Sequence, residues 1–407
     1  MRDRALRAIA DCRHIAAITE EPGRTTRRFL TPPMREVHAH LRTRMEEMGM
    51  DVSVDAAGNL RGLWQPHGAD GKRLLMGSHI DTVPDAGAFD GVLGVALALE
   101  MVAIAQELKL PLAIEVIAFS EEEGVRFSMP FIGSRAVAGR FDAALLALKD
   151  AEGITVETAI REFGLDPSRM EDAVASAASL AFVEFHIEQG PVLESEGLSV
   201  AAVTGIVGQT RLSVEWKGQA NHAGTTPMHL RHDALAAAAE WIHAVEAAAR
   251  QTDGLVATVG KIHATPNAGN VIPGTVQVSL DVRHLHDRAR KDAVDAMLAQ
   301  AEAIAARRGL TLQCTLLTDQ PAAPMDERLT AFLAEAIEGA SLPVKRMPSG
   351  AGHDAMVMAS RMPTAMLFLR SPGGLSHHPA ESVREEDVEA ALRVGSKFLE
   401  RLAADIG

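Results

Sequence analysis

The chain of 407 residues has little cysteine, no long apolar run and no excess of basic residues. Its two cysteines, Cys12 and Cys314, lie far apart, so no disulfide framework is indicated and a reducing cytoplasm is expected. No segment reaches the roughly 18 consecutive apolar residues that cross a bilayer, and no apolar segment typical of a signal peptide follows the charged amino terminus. With 40 basic and 54 acidic residues, the net charge of −14 would repel nucleic acid and anionic lipid. We therefore expect neither nucleic acid nor a membrane as a partner.

The remaining composition is that of a folded globular protein, and the order of its apolar segments predicts an α/β fold. Hydrophobic residues make up 47% and charged residues 23% of the chain, which excludes a disordered or fibrous protein. Apolar runs at 73–78 and 112–120 are typical of buried strands, and residues 91–108 between them have the apolar content of a buried helix. Such a β-α-β unit predicts a parallel or mixed sheet. The apolar runs at 180–185 and 364–369 add further strands.

The pattern of segments changes near residue 211. Strands are predicted at 211–217, 255–262, 275–283 and 311–317, with helices at 233–250 and 288–308. This β-α-β-β-α-β order is that of a ferredoxin-like sandwich, which is a self-contained α+β domain. We therefore predict a discontinuous first domain of residues 1–210 and 325–407, interrupted by an inserted domain of residues 211–324.

Polar clusters follow the predicted strands of the first domain, where ligands gather in open α/β sheets. His79 ends one strand, and Asp81 two positions later could accept the second ring N–H of its imidazole. Asp90 lies at the junction with the next helix, where its carboxylate could bridge two cations. The alternative is a structural role for His79 and helix capping by Asp90.

Three consecutive glutamates, Glu121 to Glu123, follow the next predicted strand. Their mutual repulsion would destabilise the end of the sheet unless a divalent cation compensates it. In that case one glutamate binds metal while its neighbour transfers a proton. A solvated acidic turn is the alternative. The run also leaves open whether residues 121 and 122 or residues 122 and 123 form the pair.

Histidines follow two further predicted strands. His186 comes directly after the run at 180–185, and His377 and His378 come after the run at 364–369. Each alone could be an ordinary loop histidine. Together, the strand ends offer three imidazoles and two carboxylates, a ligand set that suits Zn²⁺, Mn²⁺, Co²⁺ or Ni²⁺.

These segments resemble, in consistent order from about residue 20 onward, the amidases of hydantoinase/carbamoylase type in the M20 metallopeptidase superfamily. That family includes N-carbamoyl-L-amino acid hydrolases, allantoate amidohydrolases, ureidoglycolate amidohydrolases and β-ureidopropionases. The resemblance implies a zinc-peptidase-like catalytic domain with a mixed sheet, and an inserted ferredoxin-like dimerisation or lid domain. The segments that carry it are GSHIDTVPDAGAFDG, FSEEEGVRF, EFHIEQGPVLE, GQANHAGTTPM, NVIPG, LDVRH, GAGHDA and LSHHPAE.

The resemblance also implies two divalent metal ions per subunit, either zinc or manganese, cobalt or nickel. The implied metal ligands are His79, Asp90, Glu123, His186 and His377, with Asp90 bridging the two ions. Alignment on the Gly124-x-Arg126-Phe127 that follows the glutamates selects Glu122 as the general base. His377 is selected over His378 because the family motif places the ligand directly after a serine.

Contacts with substrate are implied for residues of both predicted domains. His222 would reach an active site across a dimer and stabilise the oxyanion, and Arg283 would bind the substrate carboxylate. The other implied substrate contacts are Gln189, Asn270 and His353. A loop cap, a turn and a surface charge are the alternatives for His222, Asn270 and Arg283. A homodimer whose smaller domain closes over the site is therefore expected.

The activity that the resemblance implies is hydrolysis of a linear carbon–nitrogen bond in a ureido acid. The substrate is either an N-carbamoyl-L-amino acid or allantoate, with release of ammonia and carbon dioxide. One alternative is an M20 aminoacylase or peptidase. The other is a homologue that binds metal without catalysis, against which the intact Glu122 and Glu123 argue.

Overall fold

A computed structural model of the chain describes residues 1–67 and 71–406. The chain divides into one unit of Met1–Thr204 with Pro324–Gly407 and a second unit of Gly205–Ala323. Both units contain sheets with helices, so the predicted mixed α/β fold is confirmed. None of the helices in the described ranges is both long and apolar enough to cross a membrane.

The strands are numbered in chain order. Those that begin before residue 207 are β1 (Asp51–Val54), β2 (Leu60–Trp64), β3 (Arg73–His79), β4 (Ala113–Phe119), β5 (Ser179–Ile187) and β6 (Val200–Ile206). Next come β7 (Gly208–Lys217), β8 (Asn221–His222), β9 (Val256–Thr258), β10 (Ile262–Thr265), β11 (Val271–Ile272), β12 (Thr275–His284) and β13 (Thr311–Gln320). The last are β14 (Ala323–Pro324), β15 (Arg346–Ser349) and β16 (Thr364–Leu369).

The helices are numbered in the same way. The first seven are α1 (Arg2–Ala16), α2 (Pro32–Glu47), α3 (Val92–Glu107), α4 (Ile132–Val137), α5 (Ala143–Leu146), α6 (Val156–Glu162) and α7 (Val192–Ser195). The others are α8 (Ala234–Gln251), α9 (Asp287–Arg308), α10 (Glu327–Gly339), α11 (Asp354–Met358) and α12 (Glu385–Ile406). Short 3-10 helices cover Pro167–Ala173, Met228–Leu230 and Pro372–Gly374.

The sheet of the first unit brings together the strand ends that carry the polar clusters. Its order runs β1-β2-β4-β3-β5-β16-β6-β14, with β15 beside β6. Strands β4, β3, β5 and β16 are mutually parallel, whereas β2 and β6 are antiparallel to their neighbours β4 and β16. Because the carboxyl ends of parallel neighbours meet at one edge, the residues that follow these four strands lie at the same edge of the sheet.

Helix α3, which begins directly after Asp90 and Gly91, anchors this edge in the core. It is apolar on nearly its whole surface and buried along most of its length, as expected of a helix enclosed by other elements. Its acidic residue Glu100 is only 2% exposed and forms ion pairs with Arg4 at 3.0 Å and Arg7 at 2.9 Å. Because α3 is packed along most of its length, its first residues are fixed in position, and so is the adjacent Asp90.

The second unit contains an antiparallel sheet of order β10-β12-β7-β13, with β9 beside β12. Helices α8 and α9 bury their apolar faces against it, around Trp216 and Trp241. The single strand predicted at 255–262 is instead two short strands, β9 and β10, which both pair with β12. Between them residues 259–261 lie opposite only two residues of β12, which interrupts the regular pairing, and Lys261 N–H donates to the Ser279 hydroxyl.

Candidate metal centre

His79, the last residue of β3, is held in one ring orientation by the backbone. Its side chain is buried, and its Nδ1 lies 3.0 Å from the carbonyl oxygen of Asp81. Because a carbonyl only accepts hydrogen bonds, Nδ1 carries the proton, and Nε2 is left with a lone pair. That Nε2 lies 3.6 Å from Asp90 Oδ1.

His186 of β5 has the same arrangement. Its Nδ1 donates to the carbonyl oxygen of Ile187 at 2.8 Å, and its Nε2 lies 3.1 Å from Asp90 Oδ1. Both of these facing atoms are buried and lack a hydrogen bond of acceptable geometry. Two lone pairs that face each other in a buried site need either a proton or a cation between them. The pair therefore fits a metal ion.

Asp90 presents its second carboxylate oxygen to another set of side chains. Oδ2 lies 3.2 Å from His377 Nε2 and accepts hydrogen bonds from Gln189 Nε2 at 2.9 Å and Ser376 Oγ at 3.1 Å. His377 Nε2 is also 3.4 Å from Glu123 Oε1. One carboxylate thus faces two clusters of ligand atoms, as a bridging ligand would.

The electrostatics of the site follow from these contacts. Burial opposes ionisation of Asp90, but the neighbouring imidazoles of His186, His377 and His79 hold its pKa well below the usual range. Hydrogen bonds to Asp90 and Glu123 raise the pKa of His377 to about 10. The carboxylates and imidazoles of the cluster thus favour a positive charge between them.

The three glutamates after β4 have different surroundings. The Asp81 carboxylate accepts the backbone N–H of Glu122 at 2.9 Å and of Glu123 at 3.1 Å, so it ties the end of β4 to the end of β3. Burial, assisted by the charge of Glu123, raises the pKa of Glu122 well above its ordinary value. Burial also raises the pKa of Glu121, whose carboxylate oxygens lack hydrogen-bond partners in the described chain.

The described residues contain four groups whose ligand atoms all lie within 4.8 Å of one another and could hold a metal ion. The predicted metal ligands occur in these groups, together with Glu122, whereas Glu121 is in none of the four. The groups are His79–Asp90–His186, Glu184–His186–His353, His79–Glu122–Glu123 and Asp90–Glu123–His377.

Two further buried residues, His353 and Glu184, lie next to the predicted metal ligands. His353 lies with its ring 4.4 Å from that of His186, and its Nε2 is 2.9 Å from Ser349 Oγ. Burial, with the neighbouring His186, keeps the pKa of His353 well below its ordinary value. Glu184, which the sequence analysis did not single out, is fully buried and accepts hydrogen bonds from Ser78 Oγ at 2.6 Å and Ala355 N at 2.8 Å. In the sequence, Glu184 is noticeable only as a charged residue within the otherwise apolar run at 180–185.

The remaining predicted site residues lie in the second unit. Strands β8 and β11 pair His222 with Val271, which brings His222 next to Asn270. The Nδ1 of His222 accepts from the backbone N–H groups of Gly224 at 3.0 Å and Thr225 at 3.2 Å, so a neutral ring carries its proton on Nε2.

Arg283 of β12 lies apart from this pair of strands, on the five-stranded sheet. Its guanidinium donates two hydrogen bonds to the carboxylate of Asp281, at 3.0 and 3.1 Å. Asp281 also accepts from Arg211 at 2.9 Å. The Arg283 guanidinium is thereby held beside Asp281 of the same strand.

Known proteins are similar to this chain along nearly its whole length. Residues 75–401 match the family described as Peptidase family M20/M25/M40. The chain is 40% identical over 375 residues to an N-carbamoyl-L-amino acid amidohydrolase of Geobacillus stearothermophilus, covering 91% of this chain and 92% of that one. It is 37% identical over 431 residues to an allantoate deiminase of Arabidopsis thaliana, covering 97% and 81%. A solved amidase of the hydantoinase/carbamoylase family from Burkholderia multivorans matches with a TM-score of 0.92 and 31% identity, covering 98% and 97%.

Proposed function

Because the chain belongs to peptidase family M20/M25/M40, we propose that it is a metal-dependent amidohydrolase that cleaves a linear carbon–nitrogen bond of a ureido acid. The observation that carries this proposal is the Asp90 carboxylate, whose two oxygens face imidazole nitrogens from three different strand ends. Relatives named for N-carbamoyl-L-amino acids and for allantoate are similar along nearly the whole chain. The proposed products include ammonia and carbon dioxide, released from a carbamoyl nitrogen and carbon as water is consumed.

The proposed site holds two divalent cations, of zinc, manganese, cobalt or nickel. His79 and His186 would bind one, Glu123 and His377 the other, and Asp90 both. When bound, such cations supply Lewis acidity for a carbonyl group and for water. The donor set fits them, since two imidazole nitrogens with free lone pairs and carboxylate oxygens are common ligands of these ions.

Glu122 is the proposed proton carrier. It is 8% exposed, and burial raises its pKa, so it can both take a proton from water and return it to the leaving nitrogen. The backbone N–H of Glu122 donates to Asp81, which keeps the residue beside the proposed metal ligands. The arrangement requires no covalent intermediate.

Side chains of both units are the proposed substrate contacts. His222 would donate its Nε2–H to the developing oxyanion, and Arg283 would bind the substrate carboxylate. The remaining proposed contacts are Gln189, Asn270 and His353. Gln189 already donates to Asp90, so its buried Oε1 is the atom with capacity to accept a ureido N–H.

A homodimer formed through the second unit completes the proposal. Strand β13 lies at the end of its sheet and exposes the adjacent Leu316 and Leu317, at 59% and 61%. A long edge strand with exposed leucines is a ready site for pairing with another chain. Sedimentation should give a mass twice that of the 43.4-kDa chain.

The test is a substrate panel with protein reconstituted with Zn²⁺ or Mn²⁺. It contains allantoate, ureidoglycolate, N-carbamoyl-β-alanine and several N-carbamoyl-L-amino acids, scored by ammonia release. An N-acetyl amino acid and a dipeptide represent the aminoacylase and peptidase alternative. Ammonia from none of the ureido acids, with cleavage of an acylated amino acid or peptide, would replace our assignment with that alternative.

Glu122→Gln and Glu121→Gln form a matched pair for the catalytic base. We expect Glu122→Gln to lower kcat by about 10²- to 10⁴-fold with metal content unchanged, the usual effect of losing a general acid–base group. Glu121→Gln, which makes the same change one residue away, should leave kcat near that of the unaltered protein. The reverse result would move the base to position 121.

A further inference from the structure

Glu381 connects two segments that are 291 residues apart in the chain. It follows His377 by four positions and is 6% exposed. Its Oε1 accepts the backbone N–H of Phe89 at 2.9 Å and of Asp90 at 3.0 Å. One carboxylate oxygen of the segment that carries His377 therefore holds the backbone at Asp90.

The second carboxylate oxygen of Glu381 reaches the Asp90 side chain through a serine. Ser376 Oγ lies 3.2 Å from Glu381 Oε2 and 3.1 Å from Asp90 Oδ2. The same hydroxyl accepts a hydrogen bond from Gln189 Nε2 at 3.1 Å. Because a hydroxyl has a single proton, Ser376 donates to one of the two carboxylates at a time, and Glu381 competes with Asp90 for that bond.

Gly87 allows this contact to form. A Cβ atom at position 87 would lie 2.3 Å from Glu381 Cβ and 2.5 Å from Glu381 Oε1. Real Cβ atoms do not approach other atoms so closely, so any larger residue at position 87 would displace the Glu381 side chain. The glycine and the glutamate therefore act as one structural unit.

We propose that Glu381 is a positioning residue, which fixes the segment containing Asp90 against the segment containing His377 and thereby governs the binding of both cations. This inference rests on the proposed function, because it concerns the same metal ligands. Asp90 faces both proposed metal positions, and His377 belongs to one of them. Loosening their shared contact should therefore weaken both positions, whereas loss of a single ligand would weaken chiefly one.

The conservative and the disruptive substitutions of Glu381 have different consequences. In Glu381→Gln the amide oxygen can still accept both backbone N–H groups, and its amide N–H can donate to Ser376, whose proton then goes to Asp90. Glu381→Ala removes these acceptors and leaves two buried N–H groups without partners. We expect Glu381→Ala to weaken metal binding by about 10- to 100-fold, as for other residues that support metal ligands, and Glu381→Gln to restore most of the loss.

The measurement is the affinity and stoichiometry of Zn²⁺ and of Mn²⁺ in competition with a chromogenic chelator, with urea unfolding in EDTA as the separate measure of stability. Gly87→Ala should reproduce the loss caused by Glu381→Ala. The double variant should bind metal no more weakly than either single variant, because both changes break one contact. Glu386→Ala, an exposed glutamate on α12, is the control and should bind both ions as the unaltered chain does.

Three results decide between the possible failures. Unaltered metal affinity in Glu381→Ala would overturn the role of Glu381 while the proposed function stands. Fully additive effects of the changes at positions 87 and 381 would also overturn it, because the two would then act separately. If the unaltered chain itself binds no transition-metal ion, both this inference and the proposed function fall. Should Glu381→Ala not fold, Gly87→Ala and Glu381→Gln carry the same comparison.

Discussion

His38 on helix α2 is a buried histidine whose replacement should remove part of the protein's sensitivity to acid. It is 6% exposed and packs edge-to-face on Phe163, with ring centroids 5.5 Å apart. Its Nε2 is buried and has no hydrogen-bond partner among the described residues. Burial, and to a smaller degree the charges of Arg42 and Arg35, lowers its pKa from 6.5 to about 4. The folded protein therefore holds this ring neutral.

The sign of the effect on stability follows from the lowered pKa. Above pH 6.5 neither state binds a proton at His38, so the group does not affect the pH dependence. As the pH falls from 6.5 towards 4, the unfolded chain takes up the proton and the folded chain does not, so the free energy of unfolding decreases. Between pH 7.5 and pH 5 this difference amounts to about 2 kcal/mol. Below pH 4 both states are protonated and no further loss occurs.

The perturbation is His38→Met, which replaces the imidazole by a flexible apolar side chain that fits irregular spaces. Urea unfolding in excess EDTA at pH 7.5 and pH 5, followed by circular dichroism, gives the free energy of unfolding of both proteins. The unaltered chain should lose about 2 kcal/mol more than His38→Met over this interval. His243→Met on α8 is the control, because the His243 side chain is exposed in the folded chain. Equal losses in the unaltered protein and His38→Met would refute the assignment of a buried neutral ring.

Two further substitutions test the packing around the site and at the end of the sheet. Gly91 has a φ of +68°, and a Cβ there would lie 2.5 Å from three ring atoms of His79; Gly91→Ala should therefore lose metal on gel filtration, in addition to about 1–2 kcal/mol of backbone strain. Gly49→Ala, with a φ of +72° and no atom within 4 Å, should show the strain and keep the metal; equal metal retention in both would contradict the clash. Asp387→Ala leaves the guanidinium of Arg370 buried after removal of hydrogen bonds of 2.6 and 2.8 Å, so urea unfolding should show a loss of about 3–5 kcal/mol. Asp172 is exposed and paired with Arg169 at 2.7 Å, so Asp172→Ala should lower the free energy of unfolding by less than about 1 kcal/mol. Equal losses in Asp172→Ala and Asp387→Ala would count against the burial argument.

The sequence was most informative about which strands end in polar residues. The predicted run at 73–78 corresponds to β3, and those at 112–120 and 180–185 correspond to β4 and β5. Apolar content alone indicates these strands, because they are buried on both faces of a mixed sheet. From parallel strands it follows directly that His79 and His186 share one edge. The predicted strand at 255–262 was less accurate, since residues 259–261 lie opposite only two residues of the neighbouring strand β12 and the pairing is interrupted there.

Contacts between distant segments could not be predicted in the same way. From the sequence, the Asp81 carboxylate could accept the second ring N–H of His79. In the structure the closer acceptor is the Asp81 backbone carbonyl, and the carboxylate binds the backbone of Glu122 and Glu123. No role could be assigned to Glu184 or Glu381 for a similar reason: Glu184 contacts Ser78, 106 residues away, and Glu381 contacts Phe89, 292 residues away. A local pattern identifies ligands, but the residues that orient them become visible only when the strands are assembled.

The hydrogen bonds of the imidazoles explain why the site suits cations rather than protons alone. His79 and His186 both direct an Nδ1–H at a backbone carbonyl, so both rings face Asp90 Oδ1 with Nε2. A proton between Asp90 and one ring leaves the other lone pair unmatched, whereas a divalent ion attracts all three atoms at once. Burial lowers the pKa of His79, but without such an ion the neighbouring carboxylates of Asp81 and Asp90 outweigh burial and raise that pKa. Metal binding at this edge of the sheet is therefore an exchange of protons for a cation, and the backbone carbonyls that fix both tautomers prepare the site for it.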